Sequence, residues 1–147
     1  MANYTTTVMA VILPTANRRK FGDYFKGSSE KFFNRTALLS CEEIDSRNGL
    51  SLMQYCLECA WNVDHCMVHP TDTFDTTITL KEACLECDVR KLSIWSEEPG
   101  CAFFEYINYD KGDDDVQCLD AERPRQPNDL YLDDESLEGA ENGSKYA

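Results

Sequence analysis

The sequence predicts a small α+β domain, disulfide-rich, with short helices packed on an antiparallel sheet. Three observations carry that expectation. Eight cysteines fall between Cys41 and Cys118 of a 147-residue chain, and an even count packed so densely reads as a disulfide framework. Thr79-Leu80-Lys81-Glu82 is a helix-opening capping box, with Glu three residues after Thr. Alternating apolar runs bounded by Gly, Pro or acidic clusters, such as Cys101 to Tyr109, read as short strands. The length fits one domain with tails. A strand and a basic, aromatic extension occupy 1–35, the disulfide-rich domain 36–119, and an acidic extended tail 120–147.

In chain order, Val8-Met9-Ala10-Val11-Ile12-Leu13 lies between a Thr run and Pro14 and is β-prone. It packs either on its own domain or, through Val8, Val11, Ile12 and Leu13, on the sheet edge of a neighbouring subunit. Residues 18–35 interleave Arg18, Arg19, Lys20, Lys26, Lys31 and Arg35 with Phe21, Tyr24, Phe25, Phe32 and Phe33. That pattern suits a packed aromatic face carrying solvated charges, or a nucleic-acid or glycan contact. Leu50 to Trp61 reads as a helix, with Leu52, Tyr55, Cys56 and Cys59 on one face, Asn48-Gly49 ending the element before it and Ser51 as cap. Thr71 to Thr79 is a strand or turn. A second helix runs from Leu80 to about Lys91. Cys101 to Tyr109 is a strand, Asp110 to Asp115 a hairpin loop, and Val116 to Leu119 the return strand. In the tail, Leu130, Tyr131 and Leu132 are the residues suited to dock on the domain.

The formal net charge of −13 argues against nucleic acid, whose phosphates need a basic face, and against an anionic membrane surface. No apolar run approaches the roughly 18 residues of a membrane-spanning helix. Spacing alone leaves the cysteine pairing open. A metal alternative groups Cys56, Cys59, Cys84 and Cys87 as a four-thiolate zinc site, although neither Cys-x-x-Cys has a turn residue beside it. A smaller alternative groups Cys59, Cys66 and His69, since His65 and His69 form H-x-x-x-H without the Glu of a zinc protease. The acidic loop 110–115 lacks the calcium-loop spacing. No phosphate-binding glycine motif and no nucleophile elbow is present, so neither an enzyme nor a cofactor is expected. Three sequons, at Asn3, Asn34 and Asn142, point to glycosylation outside the cell. Against secretion, the Val8–Leu13 run is short, no cation precedes it, and Arg18-Arg19-Lys20 follow it, the reverse of a signal peptide.

The pattern L-x-x-x-C-L-E-C occurs twice, at 52–59 and at 80–87, short of the roughly three repeats a solenoid needs. The second copy, then Gly100-Cys101-Ala102-Phe103-Phe104-Glu105-Tyr106, then Cys118-Leu119, resembles the PAN/apple domain over residues 79–119. The resemblance implies a helix bearing two half-cystines, a strand, a hairpin and a Cys-Leu strand. It implies Cys84–Cys118 and Cys87–Cys101 bonds, with Cys41, Cys56, Cys59 and Cys66 as extra half-cystines. The helix carries two residues between its cysteines where the family usually has three.

The function expected from these residues is an extracellular, non-enzymatic adhesion module that recognises a protein or a carbohydrate. One alternative is a structural subunit that assembles with itself through the N-terminal strand. Another is an intracellular zinc-binding interaction protein. Trp95, Tyr106 and Tyr109 are candidates for an exposed aromatic patch, set against a place in the core.

Overall fold

The computed structural model describes residues 4–26, 30–60, 62–70, 74–98, 103–120 and 132. The strands are β1 (Tyr4–Pro14), β2 (Thr36–Arg47), β3 (Leu50–Ala60), β4 (Lys91–Glu98), β5 (Phe103–Asp110) and β6 (Gln117–Asp120). They form one antiparallel sheet in the order β2-β3-β1-β4-β5-β6. Two short helices, α1 (Arg18–Asp23) and α2 (Leu80–Glu86), a 3-10 turn at Thr15–Asn17 and a π-helical turn at Asp64–Val68 complete the elements among the described residues. The expected α+β class and antiparallel sheet are therefore present. The seven described cysteines, Cys41, Cys56, Cys59, Cys66, Cys84, Cys87 and Cys118, are free thiols.

Strand β3 lies between β1 and β2, and β1 lies between β3 and β4. Each half of β1-α1-β2-β3-α2-β4 is thus a split βαβ unit, the connectivity of a ferredoxin-like sheet. Strands β5 and β6 extend it beyond β4 as a meander.

The N-terminal strand is the centre of this sheet. Val8 pairs with Cys56 on one side and Trp95 on the other. This corrects two expectations. With both edges used, Val8, Val11, Ile12 and Leu13 have no free edge to offer a neighbour, so the strand serves its own domain. The boundary at 35/36 likewise separates nothing, because β1 joins the two halves of the same sheet. The reason is burial on both faces: Met9, Val11 and Leu13 enter the main core, while Ala10 and Ile12 pack on Leu50, Leu52 and Leu132. A strand covered twice reads as a continuous apolar run.

Leu50–Ala60 is a strand, not the expected helix. Asn48 (φ 51°) and Gly49 (φ 81°) form a two-residue turn joining Arg47 to its partner Leu50. Both positions need positive φ, which is why Asn-Gly is a strong hairpin signal. Met53, Tyr55, Leu57 and Cys59 then point into the core with period two. Ser51 caps nothing; its hydroxyl donates to Glu43 at 2.8 Å and pairs with the Thr15 hydroxyl at 2.8 Å.

Helix α2 opens as expected. The Thr79 hydroxyl accepts from the Glu82 amide at 3.2 Å, and the Glu82 carboxylate accepts from the Thr79 amide at 3.2 Å. It stops short of Lys91 because Asp88 adopts φ 53°. The Val89 amide then donates to the Cys84 carbonyl at 2.9 Å and the Asp88 amide to Leu85 at 3.4 Å, a Schellman termination. Thr79→Ala removes the cap and is expected to cost about 1 kcal/mol in urea denaturation. An unchanged midpoint would show that the cap is energetically idle.

Within 71–79 the described part is a turn closed by the Thr77 amide on the Phe74 carbonyl, 3.0 Å, and 71–73 lie outside the described residues. The expected strand and return strand are β5 and β6, joined through Gly112 at φ 99°; Cys101 lies outside the described residues. Beyond β6 only Leu132 is described. It docks as expected, 2% exposed, and its carbonyl accepts from Arg47. Tyr106 and Tyr109 are buried and Trp95 is half-buried, so they form no exposed aromatic patch. No helix among the described residues is long and apolar enough to cross a membrane.

Candidate functional site

Helix α1 carries one large apolar residue on its inner side. Phe21 is fully buried and meets Tyr24, Phe25, Phe33 and Tyr55 with ring centroids 5.5–6.3 Å apart. Phe25 and Tyr55 approach to 5.4 Å. Phe21, Tyr24, Phe25 and Phe33 therefore form a packed cluster with Tyr55. Its cations remain outside, and three of them, Arg18, Arg19 and Lys26, line a groove between α1 and the β2–β3 edge. The groove has a volume of about 610 Å³ and a floor of Leu38, Met53 and Tyr55, with Cys41 and Asp23 at its sides. That volume suits a small ligand or the tip of a larger one.

The groove is polar at the rim and apolar beneath. Arg18 Nη1 lies 2.7 Å from Glu43 Oε1, and Lys26 lies 3.5 Å from Asp23. Exposed Arg19 has no partner among the described residues. On the floor the Tyr55 hydroxyl is buried and has no hydrogen-bond partner among the described residues. Burial, with the nearby Cys41 and Cys87 thiols adding to it, pushes its pKa well up. It is thus a protonated donor without an acceptor, an uncommon state for a buried polar group. Burial also pushes the Cys41 thiol up, against the opposing pull of Arg18, so it lacks the thiolate character of a nucleophile.

The structure separates the thiols of the zinc alternative. Cys56 and Cys59 are three apart in a strand and so face opposite sides of the sheet: Cys59 is in the main core and Cys56 is opposite Val8 on the other face. Cys84 and Cys87 are buried on the inner side of α2. No group of three or more His, Cys, Asp or Glu among the described residues is placed to hold a metal ion. His65 and His69 are exposed, and His69 Nδ1 instead meets Asp64 Oδ1 at 2.6 Å.

Cys118 is exposed on β6, 4.0 Å from Asp64, and burial of its thiol and nearby carboxylates push its pKa up to about 11. Of the sequon residues, Asn34 is half-buried, and its Nδ2, the atom that would carry the sugar, has no hydrogen-bond partner among the described residues. Asn3 and Asn142 lie outside the described residues.

Sequence reasoning flagged the basic stretch but missed Tyr55 as a groove residue. The signal was available in the Asn-Gly turn followed by alternation, which makes 50–60 a strand and aims Tyr55 at α1. Fold and groove together define an α+β protein with a cation-rimmed, aromatic-floored groove beside the edge of an antiparallel sheet. No family model matches the chain, and no curated protein or solved structure does either.

Proposed function

We propose that this protein is an extracellular, non-enzymatic binding module that recognises a protein or glycan through an anionic group seated in the groove. One observation carries the reading. In a chain of net charge −13, Arg18, Arg19 and Lys26 gather around one groove whose floor holds an unpartnered hydroxyl donor. A cleft with low-dielectric walls focuses the field of its cations. Arginine's planar fork matches a carboxylate or sulfate in two parallel hydrogen bonds. The Tyr55 hydroxyl supplies a further donor below them. The resemblance over 79–119 supports a binding rather than a catalytic role, and the even cysteine count supports an oxidising compartment.

The test is calorimetric titration with acidic peptides and with sulfated or carboxylated oligosaccharides, each beside its neutral counterpart. The anionic members of one series are expected to bind, and which series binds separates protein from glycan. The double substitution Arg19→Glu with Lys26→Glu touches only exposed side chains and is expected to weaken binding at least tenfold, about 1.4 kcal/mol. Equal affinity for neutral and anionic ligands would overturn the reading, as would indifference to the double substitution.

A further inference from the structure

We propose that Cys59 and Cys66 form a native disulfide when the protein folds in an oxidising environment, tying the end of β3 to the π-helical turn that follows it. The proposal is independent of the binding groove and rests on how the two side chains are placed. Both are within 1% of complete burial. Each thiol alters the other's ionisation, Cys59 being driven up and Cys66 down. Cys66 Sγ donates to the Ala60 carbonyl at 3.1 Å, which places it against the residue next to Cys59. The Thr36 hydroxyl lies 3.7 Å from Cys59 Sγ and the Arg35 carbonyl 3.7 Å from Cys66 Sγ. The other described cysteines are placed elsewhere. Cys56 faces the opposite side of the sheet, Cys41 lines the groove, Cys84 sits on α2 with Cys87 as its C-cap, and Cys118 is exposed on β6.

The chemistry is thiol–disulfide exchange with oxidised glutathione. Cys66 thiolate attacks one glutathione sulfur, the glutathione S–S bond breaks, and one glutathione thiol leaves. Cys59 then loses its proton and attacks the Cys66 sulfur of the mixed disulfide, expelling the second glutathione. Two protein thiols are oxidised by two electrons, and one oxidised glutathione becomes two reduced molecules. Since both thiols are buried in the folded protein, exchange occurs while the chain folds.

The test refolds the full, reduced chain from denaturant in a mixture of oxidised and reduced glutathione. Remaining thiols are alkylated, and the chain is cleaved after Glu58 and Asp64. Cys56, Cys59 and Cys66 then fall on three different peptides. The expected result is that the Cys59 and Cys66 peptides are recovered as one species that separates on reduction. Refolded protein is also expected to melt several degrees above its reduced form, a difference that Cys66→Ser abolishes. Recovery of Cys66 bonded to any other cysteine would overturn the proposal, as would alkylation of both thiols under these conditions.

Discussion

Deletion of residues 1–17 is expected to leave an unfolded chain, not a folded monomer released from an assembly. The deletion removes β1, which stands between β3 and β4 and is paired to both along its length. It empties the core of Met9, Val11, Ile12 and Leu13, all fully buried. Each such side chain contributes about 1.5–3 kcal/mol on burial. Four together approach the whole stability of a small domain, about 5–15 kcal/mol. The loss also strips the backbone partners from both neighbouring strands and removes the bond from Asn17 Nδ2 to the Cys87 carbonyl, 2.8 Å. Circular dichroism and amide proton dispersion of the truncated chain provide the check. A truncated protein that keeps a cooperative melting transition would refute a central β1 and revive the assembly role that its apolar sequence suggests.

Phe21→Ala is expected to cost about 3–5 kcal/mol, the range for emptying a fully buried aromatic site. Phe21 is the only wholly buried residue of α1 and touches four aromatic rings that come from the segment following α1 and from β3. A helix of six residues has little stability of its own, so this ring is its principal anchor to the sheet. The substitution is expected to loosen α1 and, with it, the rim formed by Arg18 and Arg19. Ligand affinity should therefore fall alongside the urea midpoint, while Phe21→Leu, which keeps most of the volume, should lose much less of both. A loss below about 1 kcal/mol for Phe21→Ala would mean that α1 is held by other contacts.

The two copies of L-x-x-x-C-L-E-C show where sequence reading succeeds. Residues 80–86 are a helix and 52–59 lie in a strand, although the octapeptides share five residues in register. What differs is the punctuation. Thr79 and Glu82 close a capping box before the helix, whereas Asn48-Gly49 sets a hairpin turn before the strand. The first signal was read correctly. Read as the mere end of an element, Asn48-Gly49 leaves the i, i+3 spacing of Cys56 and Cys59 to suggest a helical face. With 52–59 in a strand, Cys56 and Cys59 face opposite sides of the sheet, because residues three apart share a face on a helix but not on a strand.

The acidic balance, α2 and its cap, the β5–β6 hairpin and the docking of Leu132 were all legible in the sequence. Except for the charge and Leu132, each depends on residues within a few positions of one another, where capping and turn geometry act. The central place of β1, the strand identity of 50–60 and the groove with Tyr55 on its floor were decided by tertiary structure. The partners of β1 lie some forty and more than eighty residues along the chain. The Arg18 and Tyr55 that line one groove come from different elements. Local preference is worth tenths of a kcal/mol per residue, and strand pairing with core burial outweighs it. Which apolar run becomes the middle of a sheet is therefore settled only when its distant partners meet it.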